Sequence, residues 1–142
     1  LYKLNLNTIE VKDSQQASKI YSDVFEQKGI EGQAIWLPLD AVTANDKVIV
    51  PVILEKAWKS KMIVFSSKPN HAQRGALFSA VPDHLELGHQ LADMVNKLNK
   101  QPKNIVKPLQ DIKLAVNLRT AAHLGYSYNQ KERAQFAITF PN

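Results

Sequence analysis

Cysteine is absent from the 142-residue chain. That excludes a disulfide scaffold, a zinc-thiolate site, an iron–sulfur cluster and a cysteine nucleophile, and leaves either redox compartment open. Glycine is scarce, at five residues. Phosphate-cradling loops need closely spaced glycines so that backbone can approach the ligand, and Gly29, Gly32, Gly75, Gly88 and Gly125 make neither a dinucleotide fingerprint nor a P-loop. No apolar run approaches the roughly 20 residues that span a bilayer, and no charged segment leads into a signal-peptide-like core. Low-complexity tracts are also missing. With hydrophobic residues at 44% and charged residues at 22%, the composition is that of a globular chain of single-domain length. The chain begins at Leu1 rather than Met, which fits a processed protein or an excised fragment.

Positive charge is in excess: eighteen Lys plus Arg against thirteen Asp plus Glu give +5. Such a balance invites a nucleic-acid partner. The charges are scattered, however, and the runs Lys56, Lys59, Lys61 and Lys97, Lys100, Lys103, Lys107 fall where helices should end, complementing the negative end of the helix dipole. No nucleic-acid partner is expected. His84 and His89 are five apart on one predicted helix and diverge, while His71 and His123 have no carboxylate at ligand spacing. All four read as surface or cap-adjacent, so no metal or cofactor is expected. Ser79 lacks the glycine-flanked turn that exposes a nucleophile, and no Ser, His and Asp take triad roles from spacing alone. The reading is therefore a binding protein with no catalytic residues.

Along the chain, strand and helix signals alternate. Residues 2 to 11 alternate apolar and polar from Tyr2 through Leu4 and Leu6, which predicts an edge strand. Asp13 with Gln16 is a capping box for a helix carrying Ala17, Ile20, Tyr21, Val24 and Phe25 on one face, stopped near Gly29. Gln33 to Leu37 is a short buried strand ended by Pro38. Asn45 to Ser60 reads as a helix starting either near Val50 or at a capping Asp46, because Pro51 cannot lie deep inside it. Met62 to Phe65 predicts a central parallel strand covered on both faces, followed by a turn over Ser66 to Asn70 and a strand from Gly75 to Val81. Asp83 with Glu86 then caps a helix that should carry Leu87, Leu91, Met94, Val95 and Leu98 inward, with Gly88 in close approach to the sheet. Ile112 to Val116 is a strand, Asn117 caps a helix that runs to Leu124 and stops at Gly125, and Gln135 to Phe140 is a final strand. The alternation implies an α/β layer fold: a mostly parallel sheet, with helices on both faces in three layers.

In open α/β sheets, ligands sit outside the carboxyl ends of the strands. Three polar segments fall there: Asp40 to Thr43, Ser66 to Asn70, and Ala80 to Asp83. An Asp at a strand end suits an ammonium group, and Ser66 or Ser67 can donate to a carboxylate or hydroxyl. Asp83 also stands where a helix cap belongs, and Ser66 and Ser67 can satisfy turn backbone. Asp40 shows no capping role in the sequence. The candidate ligand-binding residues are accordingly Asp40, Ala41, Ser66, Ser67, Ala80 and Asp83.

The span from Leu37 to Gly125 resembles the carboxyl-terminal lobe of substrate-binding proteins of bacterial ABC transporters, relatives of the periplasmic binding proteins for aromatic amino acids. The matching residues are Trp36 to Asp40, the strand Met62 to Phe65, Arg74 to Leu77, Asp83, Leu87 with Gly88, Leu114 to Asn117, and Ala121 to Gly125. Ala80 stands where that family often places a Tyr, and Met62 with Ile63 where a Pro commonly opens the strand. The resemblance implies one lobe of a type I periplasmic-binding fold, in which two α/β lobes close on a small solute such as an amino acid. It further implies a permease partner, an extracytoplasmic bacterial location with any lipid anchor outside this chain, and an exposed cleft face open to a homodimer partner. The rival expectation is a sensor or interaction domain that uses the strand-end face or the face bearing Trp58.

Overall fold

Asp13 opens the first helix as its spacing predicts. Its carboxylate accepts from the Gln16 amide at 2.8 Å, and the Gln16 side chain accepts from the Lys12 amide at 2.9 Å. The computed structural model describes residues 4–27, 29, 32–98 and 106–141. Helix α1 is Ser14–Glu26, which buries Ala17 and lays Tyr21, Val24 and Phe25 against the core. Strand β1 is Ala34–Leu37. Helix α2, Ile49–Ser60, has no side-chain cap; Asn45 Oδ1 instead accepts from the amides of Lys47 and Val48. Pro51 is its third residue, where a missing N–H breaks no helical bond. Asp46 does not cap α2, and its carboxylate turns to Lys68, His71 and Arg74.

Strand β2 is Ile63–Ser66, helix α3 Pro69–Arg74, strand β3 Phe78–Pro82 and helix α4 His84–Leu98. Then come β4 Ile112–Asn117, α5 Leu118–His123, α6 Gln130–Arg133 and β5 Ile138–Phe140. The five strands lie in the order β1-β2-β3-β4-β5, and every neighbouring pair is parallel except β3 with β4. The result is the α/β fold with a mostly parallel sheet that the alternation implied. One reversal has a direct consequence: the carboxyl ends of β1, β2 and β3 share one edge, while those of β4 and β5 point to the opposite end.

The core is built where α1 and α2 meet one face of β1 and β2: Ile35, Leu37 and Val64 pack with Ile49, Val50, Ile53 and Ala57. Helix α3 lies on β2, β3 and β4, and α5 on β4 and β5. The other face of the first three strands carries Trp36, Phe65 and Phe78 in register, stacked at 6.4 and 5.3 Å between ring centroids. Phe65 and Phe78 are half-buried and Trp36 is exposed, so β2 alternates between buried and half-buried positions and is not covered equally on both faces.

Five local expectations need correction. Residues 4 to 11 form no strand, and Leu4, Leu6 and Ile9 are exposed; alternation alone supplies no partner for the backbone amides. Tyr2 lies outside the described residues, as do Lys100 and Lys103. The turn after Ser66 is cut short because Pro69 starts α3, taking the first-turn position that proline tolerates. Helix α4 forms as expected, yet none of its residues is buried, and Leu91 and Val95 are 52% and 55% exposed. A Cβ at Gly88 would meet nothing within 4 Å, so no close approach explains that glycine. His71, read as a surface residue, is completely buried.

Candidate functional site

Pro38 ends β1, and the chain turns at Asp40. Asp40 Oδ2 accepts from both the amide and the hydroxyl of Thr43 at 2.6 Å, and its carbonyl accepts from the Ala44 amide at 3.1 Å. Asp40 therefore organises the turn that also exposes Ala41, a role hidden in the sequence because no helix follows at once. The Thr43 hydroxyl, then the Thr43 amide, hold the Asp40 carboxyl below its ordinary value, so it is charged at neutral pH. Burial, and after it the charge of Asp40, pushes the phenol of Tyr21 up, which marks α1 as a flank of this turn.

Next along the edge, β2 ends at Ser66. Its buried hydroxyl donates to the Leu37 carbonyl at 3.2 Å and accepts from the Lys68 amide at 3.1 Å. Ser66 thus lies beneath the edge as a tie between strands. Ser67 is half-buried above it and accepts from Trp36 Nε1 at 3.4 Å. Strand β3 pairs with β2 only through Phe65 with Phe78 and Ser66 with Ser79, so Ala80 to Pro82 run on past the end of β2. Asp40, Ala41, Ser66, Ser67 and Ala80 are brought to one edge in this way. Asp83 stands farther along: its carboxylate accepts from the Leu85 amide at 3.2 Å and pairs with Lys113 at 2.9 Å. That Lys113 bond is the first cause holding its carboxyl low.

Under this edge lies a polar cluster that sequence reasoning missed. His71 Nδ1 is 2.6 Å from Ser66 Oγ, and Nε2 is 2.6 Å from Asp46 Oδ1. Asp46 also meets Lys68 at 2.5 Å and Arg74 at 3.5 Å. A Ser, a His and an Asp in series suggest a nucleophile, but here Ser66 is buried and already bonded to the Leu37 carbonyl and the Lys68 amide, which leaves a substrate no access. The partners are 5 and 25 residues apart from His71, a separation no local motif announces. Among the described residues, no group of three or more acidic, His or Cys side chains is placed to hold a metal ion.

The profile of the family described as ABC transporter substrate binding protein matches residues 2–135. The chain belongs to that family. No curated protein sequence matches the chain. Among solved structures, this family member is similar to the ABC domain in complex with L-Trp from Streptococcus pneumonia, with a TM-score of 0.58 and 20% identity over 92% of this chain and 44% of that one. A conserved domain protein from Vibrio cholerae O1 biovar El Tor matches with a TM-score of 0.56 and 21% identity, covering 89% of this chain and 42% of that one. The ligand-free, open structure of a substrate binding protein with adhesive properties from Clostridium difficile matches with a TM-score of 0.56 and 18% identity, over 87% and 41%. The chain spans less than half the length of these structures. At such identities they establish a shared fold.

This substrate-binding family member also carries a groove of about 720 Å³ at the end of the sheet where β4 and β5 terminate, lined by Trp58, Arg74, Arg119, Thr120 and Phe140 among others. Trp58 stacks on His123 at 3.7 Å, and the Arg119 guanidinium lies 5.5 Å from the Trp58 ring centre. His123 is thereby explained as a packing residue. The groove is at the carboxyl ends of β4 and β5, opposite the edge that bears Asp40 and Ser67.

Proposed function

We propose that this chain is one lobe of a bacterial solute-binding protein, and that its strand-end edge is one wall of a cleft for a small solute bearing an ammonium group. The observation that carries the reading is the convergence of Asp40, Ala41, Ser67 and Ala80 at the carboxyl ends of three parallel strands, in a chain of a substrate-binding family. Asp40 is exposed and ionised, and so suits an ammonium group. Ser67 offers a hydroxyl to a carboxylate, and the exposed ring of Trp36 beside it suits a flat apolar group. An amino acid joins these features, and the complex of the Streptococcus structure with L-Trp supports that class. Ser66 and Asp83 contribute from behind, by tying β1 to β2 and by holding the start of α4 against β4.

In this reading the chain performs no chemistry. It holds a solute outside the cytoplasmic membrane and presents it to the permease of an ABC transporter. The uncovered apolar stripe of α4 supports a second lobe, because the structures it resembles are more than twice as long. Saturation-transfer NMR of the chain against a panel of amino acids tests the site. Ammonium-bearing solutes should bind, and Asp40→Asn should weaken them several-fold. Binding that is indifferent to Asp40→Asn, or that perturbs Trp58 and Arg119 instead of the edge, would overturn the assignment and favour the opposite groove.

A further inference from the structure

The buried cluster beneath the edge can be counted proton by proton. Asp46 is held ionised, first by the hydrogen bond from Lys68 and then by that from His71, so its Oδ1 only accepts. His71 Nε2, 2.6 Å away, therefore carries a hydrogen whether the ring is neutral or charged. Ser66 Oγ has one hydrogen to give and faces two groups that could take it: the Leu37 carbonyl at 3.2 Å and, when the ring is neutral, His71 Nδ1 at 2.6 Å. Its remaining capacity already accepts the Lys68 amide at 3.1 Å. A doubly protonated ring satisfies every contact, since Nδ1–H then donates to Ser66 Oγ and the serine hydrogen stays on Leu37. A neutral ring must draw that hydrogen to Nδ1, and Leu37 loses Ser66 as its donor.

We propose that His71 is a proton-operated positioning residue: charged, it fastens the carboxyl ends of β1 and β2 through Ser66, and neutral, it releases the Leu37 carbonyl. Leu37 is followed by Pro38, Leu39 and Asp40, so the bond that is made or released lies three residues before the Asp40 turn. The edge is fastened below the pH at which His71 gives up its proton and loosened above it. The charged groups facing the ring are Asp46 from the segment before α2 and, through Asp46, Lys68 and Arg74 at the two ends of α3. The strands on which α3 packs bring Ser66, Ser79 and Asn117, which carry no charge. The link to solute binding rests on the proposed site, whereas the proton switch itself does not.

The test is a pH titration of the isotopically labelled chain by NMR, following both ring nitrogens of His71 and the carbonyl carbon of Leu37. At low pH both nitrogens should be protonated. As pH rises, Nδ1 should become an acceptor while Nε2 keeps its hydrogen, and the Leu37 carbonyl resonance should shift with the same midpoint. In Ser66→Ala, His71 should still titrate while Leu37 no longer follows, and in His71→Gln the step should vanish. A Leu37 resonance that stays still while His71 titrates in the unmutated chain, or a neutral ring protonated at Nδ1, overturns the proposal. L-tryptophan, added on each side of the midpoint, serves as the solute probe. Affinity that changes across the midpoint in the unmutated chain but not in Ser66→Ala supports the coupling, and affinity that does not change removes it. L-tryptophan that gives no saturation-transfer signal at either pH, a readout that reaches millimolar binding, counts against the solute site, and the Leu37 carbonyl still decides the switch.

Discussion

Asp46 gathers Lys68, His71 and Arg74 at one carboxylate, and its removal should be felt by all three. Asp46→Asn leaves the buried imidazole facing a neutral amide. Hydrogen bonds to charged groups contribute about 1.5–3 kcal/mol, and at a carboxylate about one-third exposed, solvent screening puts the expected loss near the low end, measurable by urea unfolding. Because the Asp46 carboxyl is held below its ordinary value, its contribution is complete above the usual carboxylate range and is lost as pH falls through the lowered value. The melting temperature of the unmutated chain should therefore fall in acid, and Asp46→Asn should flatten part of that fall; parallel acid limbs in the two proteins would show that Asp46 is uncoupled from folding. Asp40 presents the reverse case. Asp40→Ala removes the acceptor that closes the turn to Thr43 and should lower the melting temperature, whereas Asp40→Asn keeps one oxygen and should lower it less. Asp40 is legible in the sequence as a strand-end carboxylate because Pro38 marks where β1 stops. Its hold on Thr43 is not, since an isolated turn leaves no periodic trace. The burial of His71 is equally hidden, because it depends on what lies across the chain, here Asp46 and Ser66.

Helices α1, α4 and α5 have local start signals that are readable in the sequence, and all three are present. Asn117 ends β4 and caps α5, with Oδ1 accepting from the Thr120 amide and Nδ2 donating to the Ala72 carbonyl, both at 2.8 Å. Asn117→Ala removes a cap and strips a buried carbonyl of a donor, so about 2–3 kcal/mol should be lost in chemical denaturation. A loss below about 0.5 kcal/mol would mean that other groups take over both bonds. Of the strand expected over residues 2 to 11, the described part, 4 to 11, does not form, for the opposite reason: a strand needs a neighbour, and alternation in Leu4 and Leu6 does not provide one. Helix α3 is six residues long and opens with proline, too short for a period to show. Helix α4 is readable as amphipathic but not for what it faces. With Leu91 and Val95 more than half exposed, Leu91→Lys or Val95→Lys should leave the melting temperature of this chain nearly unchanged, a shift worth no more than about 0.5 kcal/mol. A large drop in either variant would show that α4 packs on this lobe after all.

At the scale of the whole molecule, the sheet sorts its two ends by a single antiparallel pairing, β3 with β4. The alternation of strand and helix signals makes the class of fold legible, because buried apolar runs separated by capped helices leave few other arrangements. The order of strands and the partner of β5 are not legible, because long-range pairing leaves no local mark. The consequence is a separation in space: one end gathers Asp40, Ala41, Ser67 and Ala80 over the His71 cluster, while the other holds the Trp58 groove. A pocket that encloses a small solute needs walls on both sides, and this chain spans only 41–44% of the structures it resembles. In the proposed cleft, solute groups that would face a second lobe stay in water when this lobe is alone, and each tenfold loss of affinity corresponds to about 1.4 kcal/mol. Losing two or three charge-assisted hydrogen bonds is then enough to carry a micromolar ligand into the millimolar range. Calorimetric titration of the 142-residue chain with L-tryptophan and the other amino acids is the most direct test. The account predicts dissociation constants of about millimolar or weaker for all of them. Micromolar binding of any one by the monomer would contradict it, because the site would then be complete within a single lobe.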